Sequence, residues 1–408
     1  MRKIILICFL FLTACASTMQ SHLDNVQNNF ANGNFEIANG KNISDENNLD
    51  LLIGATALFH ENKFHESDTA FEEFNKRDLD ETASSISRES ATLLFGGGVN
   101  SYKPYMMDSL FVSYYQIWDL LALHDWANAR VVINQSYERQ KKMSIEYKKL
   151  IEKNKNELSD YAELNDALNK NKSDWAAFSD IMNPALMYLS GIYFLNDGDF
   201  ATAETYLKRA DGMMPNNTFI KSDLEYAQKH IKPKNTAWIF YESGFAPRLR
   251  ENNFGIFLLT GGWIEFAVSE PYFNPAPAKP HGMQLLADVD KMFLTEYNEY
   301  RINEILRAYI STVSKAALQT TMYNSASDSA PLLGLLSTIY AVSSSNADVR
   351  TWATLPKYIY VQRLEKNKSN LNKLNLADNI KPGLKGNDLI YVRQPGDKIT
   401  DSKIIELK

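Results

Sequence analysis

The sequence predicts a mainly α-helical protein, with a helical repeat or bundle domain followed by a smaller α+β domain. Apolar residues recur at helical spacing through the first half, and the same aromatic-containing pattern returns several times. Near Pro233 the composition changes to short segments rich in aromatic and branched residues. The 408 residues, 45% of them hydrophobic, suffice for one large core or two ordinary ones. We therefore expect a helical domain over 15–235 and an α+β domain over 236–408.

The first fourteen residues have the pattern of a segment that is removed. Arg2 and Lys3 precede the apolar stretch Ile4–Leu12. Such a stretch is too short to span a bilayer and is typical of the centre of a signal peptide. We predict a signal peptide over residues 1–14.

The signal segment ends in Leu12-Thr13-Ala14-Cys15, small residues immediately before a cysteine. This stretch resembles the bacterial lipobox. The resemblance implies cleavage after Ala14 and a lipid with several acyl chains, palmitate among them, on Cys15. Ala16 follows instead of aspartate, which in such lipoproteins implies the outer membrane, with the protein facing the periplasm. The alternative is an ordinary secretory signal in which Cys15 is incidental.

Cysteine usage agrees with secretion. The two cysteines are Cys8, inside the removed segment, and Cys15, so the mature chain would keep no thiol for a disulfide, a metal or a nucleophile. A net charge of -6 argues against a nucleic-acid binder that relies on phosphate contacts. No metal or other cofactor is predicted.

A helix, a short polar turn and an aromatic residue ahead of a small residue recur along the first half. Asn183–Pro215 is the clearest copy, Ser113–Tyr137 and Leu51–Phe74 are looser, and Val26–Ala38 is the weakest. The pattern resembles the tetratricopeptide repeat, in which small residues such as Gly191 let two helices approach. A generic helical bundle with coincidental spacing is the alternative.

Residues 137–174 are polar and densely charged, with apolar residues at spacings of mostly three or four. This pattern predicts one or two long exposed helices with a narrow apolar seam. We expect a protruding helical hairpin closed on itself, with an arm that docks a partner as the alternative.

The second half contains short apolar segments, a proline-rich segment and longer segments whose apolar residues recur at helical spacing. A proline-rich loop is expected over Tyr272–His281. Helices are expected at Gln284–Tyr323 and Pro331–Val342, and the tail is polar. The predicted strands are Trp238–Tyr241, Phe254–Leu259, Trp263–Val268, Lys357–Leu364 and Leu389–Arg393.

Two stretches superficially suggest enzymatic sites. The glycines of Phe95–Asn100 follow a helical stretch. They are not followed by the lysine and threonine that a phosphate-binding loop requires directly after its last glycine. His60 and His65 are five residues apart, about 140° around a helix, whereas a zinc protease motif needs four. We expect the first to be an interhelix joint and the second to hold no metal.

Four phrases taken in order resemble a widespread family of uncharacterised bacterial lipoproteins. They are NSYKPYMMDSLFVSYYQIWDLLALHDWANAR, IFYESGFAPRLREN, LLADVDKMFLTEYNEYRINEILRAYISTVSKAA and ADVRTWATLPKYIYVQRL. The resemblance implies a non-enzymatic envelope protein, with a helical-repeat first half and an α+β second half, and implies no catalytic residues.

These observations together predict a scaffold or adaptor that binds other cell-envelope proteins, in peptidoglycan or envelope-complex assembly. A carboxylate-dependent envelope hydrolase and a purely structural envelope component are the alternatives. Aromatic residues of the helices would line the groove, with core packing as the other interpretation. The candidate partner-binding residues are Asn100, Tyr102, Pro104, Tyr114, Trp118, Tyr188, Tyr193, Arg248, Arg350 and Trp352.

Overall fold

The structure is a computed structural model that describes residues 14–38, 48–77, 102–170, 181–257, 263–325, 347–367, 370 and 382–407. Over these residues the chain is mainly α-helical, with a smaller part that combines helices and strands, as the sequence predicts. The expected joint at 95–100 and the expected helix at 331–342 lie outside the described residues.

Within the described residues, helices follow one another through the first half, and the second half contains the long helix at 289–325. Side chains of Asp125, Asn183, Asp199 and Asn217 accept backbone N–H groups at helix starts, which stabilises each helix where it begins. The helices are α1 (Ala14–Asn32), α2 (Phe35–Ala38), α3 (Asn48–His60), α4 (64–77), α5 (Met106–Ala122), α6 (Trp126–Ser159), α7 (Ala162–Lys170), α8 (Pro184–Asp197), α9 (Phe200–Met213), α10 (Thr218–Gln228) and α11 (Val289–Ser325).

Two sheets make up the β part. The strands are β1 (Thr236–Ser243), β2 (Arg248–Phe257), β3 (Trp263–Tyr272), β4 (Gln284–Asp288), β5 (Tyr358–Glu365), β6 (Asn387–Gln394) and β7 (Asp401–Leu407). Five of them form a mixed sheet in the order β4-β5-β1-β6-β7, in which β1 and β6 are parallel. Strands β2 and β3 form a separate antiparallel hairpin.

Four turns between helices share one backbone geometry. Gly33, Asn62, His124 and Gly198 each have a positive φ, between 56° and 88°, and each lies two residues before an aromatic residue that starts the next helix. A left-handed residue ends a helix by turning its last N–H groups back to the preceding carbonyls. The aromatic residues are Phe35, Phe64, Trp126 and Phe200.

The helices and the five-stranded sheet share one core. Trp238, Phe240 and Tyr391 on one face of the sheet are buried with the inner side chains of α3, α5 and α8. The predicted boundary at 235 therefore marks the change from helix to strand, and the main core continues across it. The opposite face of the sheet carries its own apolar cluster, which includes Ile239 and Val392.

The charged stretch after residue 137 differs from the expected closed hairpin. Helix α6 is continuous to Ser159, and it is fastened to α11 because Tyr147 donates to the carbonyl of Thr295 over 2.8 Å. A second apolar cluster then joins α7 to the β2–β3 hairpin and to α11. We call this cluster the lobe, formed by Leu164, Phe254, Val268, Ile305, Leu306 and Tyr309. Most of the apolar seam is thus covered by the protein's own second half, while Ile151 is 37% exposed.

One expectation for the second half is wrong, and one strand was not predicted. The predicted helix Gln284–Tyr323 begins as a strand, β4, and becomes helical only at Val289, where the side chain of Asp288 accepts the N–H of Lys291 over 3.1 Å. The polar tail contains the edge strand β7. Its lysine at position 403 is buried against aromatic rings and paired with a carboxylate, so the strand carries a charge on its inner face.

Candidate functional site

Two of the predicted partner-binding residues, Tyr102 and Arg350, meet where α5 begins. The hydroxyl of Tyr102 donates to Asp108 over 2.7 Å, and Asp108 also accepts the N–H of Tyr105 over 2.9 Å. The guanidinium of Arg350 binds Asp348 over 2.6 Å and lies 6.0 Å from the centre of the Tyr102 ring. We call this group the α5 corner.

Buried carboxyl groups of α11 complete the α5 corner. Glu296 accepts the backbone N–H groups of Met106 and Met107, two of the groups that a helix start leaves unpaired. Burial raises the pKa of Glu296 to about 8, against the opposing effect of those two N–H groups. Burial likewise raises the pKa of Glu304, which accepts from Ser269, to about 7.

Such raised carboxyl pKa values occur at catalytic sites and also in structural caps. Here both carboxyl groups are occupied by backbone or hydroxyl donors of the protein itself. The described residues contain no cluster of histidine, cysteine, aspartate or glutamate with the arrangement of a metal site. The α5 corner therefore holds α5, α11 and the segment at 347–351 together.

Trp352 and Arg248 are fixed by α1 and α3. Trp352 is 3% exposed, and its Nε1 donates to Thr56 over 3.0 Å. Arg248 is 8% exposed and forms an ion pair with Asp24. Neither side chain offers the free polar surface expected of a partner site. Pro104 is half-buried ahead of α5, and Asn100 lies outside the described residues.

The aromatic residues expected to line a groove are core residues. Tyr114, Trp118 and Tyr188 are 0% exposed and Tyr193 is 4% exposed. The groove expectation is wrong for these four, because the sheet covers the helix faces from which Tyr114, Trp118 and Tyr188 project, and Tyr193 packs against Trp126 of α6. Trp118, for example, packs edge-on against Phe240 of β1 with ring centres 5.3 Å apart.

A buried polar network joins the helices to the sheet beneath them. Glu242 of β1 accepts from Tyr115 over 3.0 Å and from Tyr391 over 2.6 Å, and Arg393 lies 3.9 Å away. Burial raises the pKa of Glu242, while Arg393 and the tyrosine hydroxyls lower it. Glu242 is 0% exposed, so this carboxyl group serves the interior and not a surface turn.

The four turns lie at one end of the helical layer, which we call the turn end. Ser67 at the start of α4 donates to Ala55 of α3 and to Asp119 near the end of α5, so the second and third turns are neighbours. Tyr193, near the end of α8, donates to the carbonyl of Trp126, which adds the fourth turn.

Strand β7 connects the remaining turn to this end. A Cβ on Gly33 would lie 3.7 Å from Thr400, and His60, just before the second turn, binds Asp401 over 2.8 Å. Leu123 is 42% exposed here, beside the left-handed His124. The common geometry of the four turns was not predicted from the sequence. The available signal was a glycine, asparagine or histidine two residues before each aromatic residue.

Comparison with protein-family models, curated proteins and solved structures finds no match to this chain. Among the described residues, no helix has the length and apolar character needed to cross a membrane.

Proposed function

We propose that this protein is a scaffold or adaptor of the bacterial cell envelope, attached through lipid on Cys15 to the periplasmic side of the outer membrane. It has no enzymatic activity of its own in this proposal. Its partners are other envelope proteins, which it holds through the turn end of tetratricopeptide-like helix pairs.

The observation that carries the proposal is the direct connection between the lipobox and the folded body. Helix α1 begins at Ala14, and Leu23, eight residues after Cys15, is 1% exposed. At 1.5 Å per residue that distance is about 12 Å along the helix. A lipid on Cys15 would therefore hold the body itself at the membrane, without a flexible tether.

The packing of the helix pairs supports the proposed adaptor role. Gly191 of α8 lies so close to α9 that an added Cβ would be 2.7 Å from Leu207, the close approach that small residues permit in tetratricopeptide repeats. At the turn after α5, Leu123 and His124 are exposed together. Because the inner helix faces are covered by the sheet, the proposal places the partner contact at the turn end.

Anchoring is tested by Cys15→Ala. We expect this variant to leave the membrane fraction and accumulate as a soluble protein, because the acyl chains supply the attachment. Retention in the membrane fraction would show that the lipoprotein assignment is wrong.

The adaptor role is tested by photocrosslinking in cells from two exposed positions. A photoreactive phenylalanine replaces Leu123 at the turn end or, as the matched control, Lys103 at the opposite end of α5. We expect defined adducts with envelope proteins from position 123 only. Equal adducts from both positions, or none from position 123, would contradict the proposal.

A further inference from the structure

The second half of α6 presents a stripe of lysines to solvent. Between residues 141 and 155 this helix carries six lysines against two glutamates, in a chain whose net charge is -6. Positions 141, 148 and 155 are two turns apart, as are 142 and 149, so the five side chains share one face. The lysine stripe is Lys141, Lys142, Lys148, Lys149 and Lys155, all of them exposed. Glu152 lies on the same face and Glu146 pairs with Lys149 over 3.1 Å, so the face keeps an excess of three positive charges, five lysines less two glutamates.

The opposite face of α6 is fixed, which keeps the lysine stripe turned outward. Tyr147 and Asn154 are 6% and 2% exposed, and Asn154 donates to the backbone and side chain of Glu299 on α11 over 3.0 and 2.7 Å. Ile145, within the stripe, is 51% exposed. The basic side chains carry the attraction to a lipid surface, and Ile145 is the apolar side chain of this face that can enter the headgroup region.

The helix directions place the stripe at the end of the molecule where α1 starts. Helices α1 and α3 run side by side in the same direction, since His22 is 4.0 Å from Asp50 and the rings of Phe30 and His60 are 5.6 Å apart. Helix α5 shares this direction, because α4 returns between α3 and α5 and Ser67 bonds to both.

Helix α6 runs back from the turn end towards the start of α1. Its Arg139 reaches Ser109 and Ser113 in the first part of α5 over 3.3 and 2.9 Å. Residues beyond Arg139 therefore extend at the end where Cys15 lies, opposite the turn end. The exposed face of α1 itself includes Ser21, His22 and Asp24, and this helix carries no lysine or arginine.

We infer that the lysine stripe binds the phosphate headgroups of an anionic lipid bilayer. The inference rests on the proposed lipid attachment, which brings this end of the molecule to the membrane. The acyl chains supply attachment, and the stripe supplies orientation: with the lysine face of α6 against the bilayer, the helical layer lies along the membrane, and the turn end, where α6 begins, remains at the side of the molecule, open to partners.

The test uses vesicle flotation with the chain from residue 15 onward, carrying Cys15→Ser so that no lipid contributes. Vesicles contain phosphatidylcholine alone or with about one third phosphatidylglycerol, a proportion that gives a negative surface potential. We expect binding to the anionic vesicles only, and release at high salt because screening weakens lysine–phosphate attraction.

The decisive comparison uses two triple variants with the same change in charge. Lys141→Gln, Lys148→Gln and Lys155→Gln remove one row of the stripe, and Lys208→Gln, Lys221→Gln and Lys229→Gln remove three exposed lysines on α9 and near α10. Since one lysine beside an anionic surface raises binding about fivefold, we expect the stripe variant to lose at least about tenfold. The control variant keeps its binding, and circular dichroism shows both folded.

Equal binding by the stripe variant and the unchanged protein, or equal loss in both variants, would overturn the inference. Stripe-dependent retention on soluble polyglutamate without vesicle binding would also overturn it, and would assign the stripe to an acidic protein. These outcomes are separate from the fate of Cys15→Ala in cells, because the vesicle measurement involves no acylation.

Discussion

His60, at the end of α3, is a histidine enclosed by aromatic rings. Its ring stacks on Phe35 with centres 4.7 Å apart and meets Phe30 edge-on at 5.6 Å. Nδ1 donates to Asp401 over 2.8 Å, and Asp401 also pairs with Lys403. Burial lowers the pKa of His60 to about 4, with the nearby Lys403 and Arg393 adding to the decrease and Asp401 opposing it. One side chain thus connects α1, α2 and α3 to strand β7.

We predict that His60 makes the protein less stable in mild acid. The unfolded chain takes up a proton near pH 6.5, whereas folded His60 does so only near pH 4. Stability is therefore complete above about pH 6.5 and falls as the pH decreases towards 4, by about 3 kcal/mol from this residue. The variant His60→Asn keeps a hydrogen-bond donor towards Asp401. We expect its free energy of unfolding, measured with urea, to change less between pH 6.5 and 4 than that of the unchanged protein.

The matched control for this prediction is His65→Asn on α4, where the side chain is exposed. It should leave the pH profile of unfolding unchanged. An equal slope between pH 4 and 6.5 in the His60 variant and the unchanged protein would show that another group causes the acid sensitivity.

At the scale of elements, the α8–α9 pair depends on one residue without a side chain. An added Cβ on Gly191 would meet Cγ and Cδ2 of Leu207 at 2.7 Å, which is shorter than any normal contact. Both residues lie in the interior, where neighbouring side chains cannot move without disturbing others. The two helices must therefore separate to admit a methyl group.

We predict that Gly191→Ala lowers the free energy of unfolding by about 1 to 3 kcal/mol, as overpacking of a core does. Gly212→Ala on α9 is the matched control, since nothing lies within 4 Å of its added Cβ and the position is exposed. That variant should gain about 0.5 to 1 kcal/mol from helix propensity. Chemical denaturation measures both, and a Gly191→Ala protein as stable as the Gly212→Ala protein would refute the close approach.

Helical spacing, aromatic turns and strand composition were sufficient to predict most elements, because they are local signals. Strands β4 and β7 were missed, because one is short and continuous with a helical pattern and the other carries a buried lysine on its inner face. The aromatic residues predicted to line a groove lie in the core for a different reason. Periodicity identifies the apolar face of a helix, but the sequence does not say that a sheet more than a hundred residues later covers Tyr114 and Trp118.

At the scale of the molecule, the interior of the helical half is completed by the sheet. Tyr115 of α5 and Tyr391 of β6 bind the same carboxyl group, Glu242 of β1. Asp223 of α10 accepts from Tyr188 over 2.6 Å and from Trp238 of β1 over 2.7 Å. Removing one half would leave these buried polar groups unpaired and the apolar faces around them in water, and both changes are unfavourable.

We therefore predict that neither half folds alone, although the sequence suggests two domains. The fragment 15–235 would expose the inner faces of α3, α5 and α8, and the fragment 236–408 would expose the sheet face that carries Trp238, Phe240 and Tyr391. The intact chain should instead unfold in one transition, with coincident changes in circular dichroism and tryptophan fluorescence. When both fragments are produced in one cell, they should associate and recover the helical signal. A cooperative thermal transition in the isolated fragment 236–408 would show that the sheet is stable without the helices, and the shared core would then be an interface between two independent domains.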